Sequence, residues 1–168
     1  MDIFLLIILL ICVITDVKSR KIYNKVIYPA LLAGFFYHLA NGGWDALFHS
    51  FLGFLIGLGL LLIPYLMGGM GAGDVKLLAL IGALKGGAFV FQSFLYIAVI
   101  GGIIALGIVL FRSGVLKSLI YFFYNLLNGV RNKAIISRGS LTATYPYGVA
   151  IAAGTALSLL IERMPGLW

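Results

Sequence analysis

Apolar residues gather in this chain into runs close to the roughly 17–25 residues that cross about 30 Å of hydrocarbon as a helix. Six runs stand out, at approximately 2–15, 26–41, 46–67, 75–92, 93–111 and 144–161. The first is short and stops at Asp16; the fourth and fifth meet near Gln92-Ser93. Segment 112–133 has a different pattern. Leu116, Leu119, Ile120, Phe123, Leu126, Leu127 and Val130 recur at three-to-four spacing, and Lys117, Asn125 and Asn128 interrupt the other faces. That pattern predicts an amphipathic helix lying on the membrane surface, with a seventh span as the rival reading. The expected fold is all-α: a polytopic membrane protein of about six transmembrane helices plus one interfacial helix, in a single membrane-embedded domain over 1–168.

Composition supports this. Of the 168 residues, 62% are hydrophobic and 10% charged, and mean hydropathy is +1.13. A soluble domain carries roughly 25% charge, so this chain cannot cover itself with polar surface. The 22 glycines fit close helix packing, and Gly53/Gly57 and Gly82/Gly86 have the spacing of small-residue packing motifs. The single Cys12 excludes an intrachain disulfide and a four-cysteine zinc site. No cofactor or metal is expected.

Charge gives an orientation. The net charge is +7, but the basic residues cluster beside spans. Topology and anionic lipid therefore explain them better than nucleic acid does. The first run is no signal peptide, because Asp2 precedes it and Lys18, Arg20, Lys21 and Lys25 follow it. Loop 17–25 is expected in the cytoplasm and the amino terminus outside. Alternation puts 68–74 and 112–143 inside, with 42–45 and the carboxyl terminus outside. Arg112, Lys117, Arg131, Lys133 and Arg138 agree with the inside assignment of 112–143.

Asp16 and Asp74 are then the only carboxylates on the cytoplasmic side, because Asp2, Asp45 and Glu162 fall outside. Ionisable groups at membrane depth are costly and mark function by default. Gly71-Ala72-Gly73-Asp74 is a glycine-rich turn before a span, where glycine permits positive φ and close backbone approach. Irregular backbone at that depth implies a wet pocket. The helix dipole there favours a charged Asp74, and the same residue alone reads equally as a helix cap. Asp16 alone reads as a boundary charge. As a pair they have the makings of an aspartic-protease dyad, which shares a proton. One acid then activates water while the other polarises a carbonyl. His38 and His49 fall at the opposite side and read as interfacial.

The chain resembles the type IV prepilin peptidases. The resemblance is strongest at Gly71-Ala72-Gly73-Asp74-Val75-Lys76-Leu77-Leu78-Ala79. Asp16-x-x-x-Arg20-x-Ile22-x-Asn24 resembles the family's other motif, with Tyr23 where a proline is usual. Tyr145-Pro146-Tyr147-Gly148 resembles a third, Pro-Phe-Gly-Pro, with Val149 in place of the second proline. The resemblance implies that Asp16 and Asp74 are the catalytic dyad. It also implies that the short basic leader of pilin-like or flagellin-like precursors is the substrate, cut at the cytoplasmic face of the inner membrane. Gly71, Gly73, Lys76, Arg20 and Asn24 are supporting residues. Lys76 could receive an acidic substrate residue, tune the dyad or snorkel to headgroups. Methylating members carry an extra cytoplasmic domain with paired cysteines, so peptidase activity without methylation is expected. Two alternatives stand beside this: a small proton-coupled transporter or channel subunit using the acids as a relay, and a presenilin-like intramembrane peptidase.

Overall fold

The computed structural model describes residues 1–112 and 147–164; beyond its first residue, the expected surface helix at 112–133 lies outside them. Residues 1–101 with 146–168 form one compact unit, and 102–145 a second. Of the second unit, only the end of one helix is described. The described residues contain five helices and no strand.

Helix α1 spans Asp2–Ser19. Leu5, Ile8, Leu9, Cys12 and Asp16 are its buried residues, and their three-to-four spacing makes one inward stripe. Its outward side chains, including Ile3, Ile7, Leu10 and Ile14, are exposed yet apolar. A helix greasy on both faces suits lipid rather than water.

Helix α2 spans Asn24–Leu66, 43 residues broken at Gly43, where φ is 66° and ψ −154°. Straight, it would reach about 65 Å, twice the thickness of a bilayer core. It doubles back instead. Phe35 of the first half lies 6.4 Å from Phe51 and 6.1 Å from Phe54 of the second, ring centre to ring centre. The expected loop 42–45 is thus reduced to one non-helical residue, and glycine supplies the positive φ it needs. Among the described residues, two helices are long and apolar enough to cross a membrane: α2, and α4 over Gly87–Gly107.

Helix α3 spans Ala72–Lys85. Its core residues Leu77 through Ala83 are wholly buried, making it the spine of the unit. Fourteen residues rise only about 21 Å, short of a full crossing. The last carbonyls of a helix have no partner within it, and in lipid they must find one. Here Ser50 donates to the Ala83 carbonyl, and His38 Nε2 donates to the Leu84 carbonyl at 3.2 Å. Both donors come from α2. His38, expected at the interface, is therefore a helix-end partner.

The break after α3 falls at Gly86, with φ 90° and ψ 172°, rather than near Gln92-Ser93. Helix α4 follows directly, Gly87–Arg112. The run taken as 75–92 passes over Lys85-Gly86-Gly87, where the break lies; a glycine at positive φ makes it. The correction moves Lys85 from mid-span to a helix end. There it pairs with Asp2 at 3.1 Å and Glu162 at 2.7 Å, and Arg163 pairs with Asp2 at 3.1 Å. Helix α5, Tyr147–Glu162, supplies Glu162. The ends of α1, α3 and α5 are tied by these ions.

Glycines set the closest packing. A Cβ on Gly57 would come 2.5 Å from the Leu78 carbonyl oxygen, and one on Gly53 would meet the carbonyl of Gly82. Gly53 and Gly57 thus let α2 and α3 touch backbone to backbone. Gly86 serves both the break and this contact: a Cβ on Gly53 would come 3.0 Å from its carbonyl carbon.

Candidate active site

Two turns carry the site. Asp16 is the last residue of α1's inward stripe. One turn later Arg20 closes the helix in the left-handed conformation (φ 50°, ψ 36°), donating its N–H to the Asp16 carbonyl at 2.7 Å. A non-glycine residue there is uncommon. Tyr23, which stands where the resemblance expects proline, has φ −81° and ψ 128°. These are close to the angles proline would impose, so the turn keeps its shape without the ring.

The second turn precedes α3. Gly71 is extended (φ −82°, ψ 149°), and its N–H donates to Asp74 Oδ2 at 3.2 Å. Asp74 is the third residue of the helix and reaches back to the first turn, as the acid of a capping box does. It does cap the helix, from the third position rather than the first. Neither glycine of the motif uses positive φ; Gly68 does, at 77°. Gly73 serves close approach instead. A Cβ there would come 2.9 Å from Ile22 Cβ, so a side chain would push the two turns apart.

Between the turns lies a cavity of about 330 Å³, lined by Asp16, Arg20, Ile22, Asn24, Gly71, Gly73 and Asp74 among others. The two acids come from positions 58 residues apart and are 6% and 7% exposed. Both stand just beyond the apolar runs. Burial pushes the Asp74 carboxyl up to about 6; the Gly71 amide opposes this, and the neighbouring Asp16 charge adds to it. Burial also raises Asp16, opposed by the Gly148 amide. The dipole argument for a charged Asp74 is therefore outweighed by desolvation.

Lys76 does not line the cavity. Its Nζ donates to Asn24 Oδ1 at 3.0 Å and sits 5.4 Å from the centre of the Tyr28 ring. It ties α3 to the start of α2. One site feature escaped the motif reading: Gly148 of α5 donates its N–H to Asp16 Oδ2 at 2.9 Å. The signal was present in Tyr147-Gly148, the third motif, but nothing in the spacing connected it to Asp16.

The sequence profile of the type IV leader peptidase family matches residues 3–106, a stretch that holds both turns and both acids. The chain belongs to the type IV leader peptidase family. Membership makes it a peptidase, and with its apolar helices a membrane protein; pilin-like precursors are the substrates the family implies. No curated protein matches the chain. No solved structure matches it either.

Proposed function

We propose that this leader peptidase is an aspartic endopeptidase, with Asp16 and Asp74 as a proton-sharing pair. The observation that carries this is the joint burial of two carboxylates from different helices around one cavity. Like charges so placed do not both ionise easily, and the pair titrates as a unit. The ionised acid takes a proton from water, and the oxygen attacks the scissile carbonyl carbon. The protonated acid gives its proton to the carbonyl oxygen. Collapse of the tetrahedral adduct expels the amine, which takes the water-derived proton from the first acid, while a hydroxyl of the adduct returns its proton to the second. Each acid ends as it began.

The rest of the reading follows from charge. Lys18, Arg20, Lys21 and Lys25 beside the cavity favour the cytoplasmic face of the inner membrane, with the amino terminus outside and six crossings in all. Processing is proposed to end at cleavage, without methylation of the new amino terminus.

The test uses purified protein in sealed vesicles with a pilin-like precursor. The expected result is one cut, after the basic leader, when leader and loop 17–25 share the same face. Uncut precursor together with proton flux through the vesicles would replace this reading with the relay.

A further inference from the structure

We infer that the backbone amide of Gly148 is a positioning group that holds Asp16 as the general base of the pair, delivered there by α5. This rests on the two-acid reading above. The contact is specific in three ways. The donor and its acceptor are 132 residues apart and buried, at 2.9 Å. Gly148 is the second residue of α5, where an N–H has no partner inside the helix and points outward with the positive end of the dipole. And no other residue fits: a Cβ on Gly148 would come 2.7 Å from Asp16 Oδ2, 3.1 Å from Cγ and 3.2 Å from Cβ. The Asp16 side chain packs directly against a backbone that has no side chain to hold it off.

An amide can donate and cannot accept, so it favours the ionised form of the acid it touches. Both acids receive one amide through Oδ2, but the two differ in kind. Asp74 takes its amide at 3.2 Å from its own turn. Asp16 takes a shorter one from a separate helix. That difference assigns the roles. Asp16 keeps the charge and removes the proton from water; Asp74, with the longer amide bond from its own turn, keeps the shared proton and serves the carbonyl.

The register that brings the amide to Asp16 is fixed at both ends. Asp2 pairs with Arg163 at 3.1 Å, and Asp16 meets Gly148. From Asp2 to Asp16 α1 rises about 21 Å, and from Gly148 to Arg163 the chain rises about 22 Å if helical throughout. The two antiparallel segments match in length between their ties.

The experiment is the pH profile of kcat/KM for the full-length Gly148→Ala protein in vesicles. Displacing the amide raises the pH at which Asp16 ionises. The acid limb should move up by about one pH unit, a tenfold loss of activity below it, with KM little changed. Gly154→Ala is the control. Its Cβ would come 2.7 Å from the Ile97 nitrogen, so it disturbs the packing of the same helix without touching Asp16, and its acid limb should stay in place. Equal loss at every pH for both variants would overturn the assignment. A second readout needs no variant at 148. In the wild type the Gly148 amide resonance should shift with pH at the midpoint of the acid limb, and the shift should vanish in Asp16→Asn. A resonance that stays still across the limb overturns the inference. Cleavage by Asp16→Asn at the wild-type rate would instead sink the two-acid reading itself.

Discussion

Asp74→Asn is expected to lower the cleavage rate by about 10³-fold or more while making the protein more stable at pH 7. The first half follows from chemistry: an amide can neither hold nor deliver the shared proton, and positioned acid–base groups contribute roughly 10²–10⁴-fold each. The second half follows from burial. Desolvation lifts the Asp74 carboxyl from 3.8 to about 6, so the folded protein binds that proton more tightly than the unfolded chain. The contribution is fully present below about pH 4 and is lost as pH rises through 6; at pH 7 the ionised group costs on the order of 3 kcal/mol. Asparagine stays neutral and can still accept the Gly71 N–H. Melting in detergent from pH 4 to 8 should show wild-type stability falling across that window and the variant's falling less. Asp16→Asn should match it in lost activity. Either variant cleaving near the wild-type rate refutes the pair, and the stability measurement separates lost chemistry from lost fold.

Gly82→Val should unfold much of the protein without touching the site. A Cβ at Gly82 would run into the carbonyl of Gly53 and come 3.4 Å from the Phe54 nitrogen. The obstacle is backbone on both sides, so no flexible side chain can swing away. Overpacking at ordinary core positions costs roughly 1–3 kcal/mol, and the rigid contact here should reach the upper end or beyond. The readout is the thermal midpoint in detergent, against Gly59→Ala as control, since nothing lies within 4 Å of a Cβ there. A wild-type midpoint for Gly82→Val would mean that α2 and α3 do not meet as described.

These two predictions draw on different parts of what the sequence discloses. The acids were legible as candidates because charge is rare in this chain and the expected orientation leaves only two on one side. α1's inward stripe was not legible: Leu5, Ile8, Leu9 and Cys12 face inward, but the outward positions are just as apolar. The glycines of the Gly71–Asp74 turn were legible as important but for a different reason, since Gly73 makes room for Ile22. The break at Gly86 was missed although Lys85-Gly86-Gly87 carries the helix-end signal of a basic residue followed by glycine; the long apolar run on both sides outweighed it. The Gly148–Asp16 bond, which joins the two ends of the chain, was not legible. Local patterns carry no information about which distant amide will arrive at a given carboxylate.

The shortness of α3 bears on how the protein is made. A helix of 14 residues with unpaired carbonyls near its end is a poor candidate for entering a bilayer alone. Its donors, His38 and Ser50, lie on α2, which leaves the ribosome first. α2 thus offers α3 a groove floored by Gly53 and Gly57, with hydrogen-bond donors at its far end. The loss expected for Gly82→Val should then show as poorer membrane insertion as well as poorer packing, because the helix bearing Asp74 lies against the hairpin that precedes it.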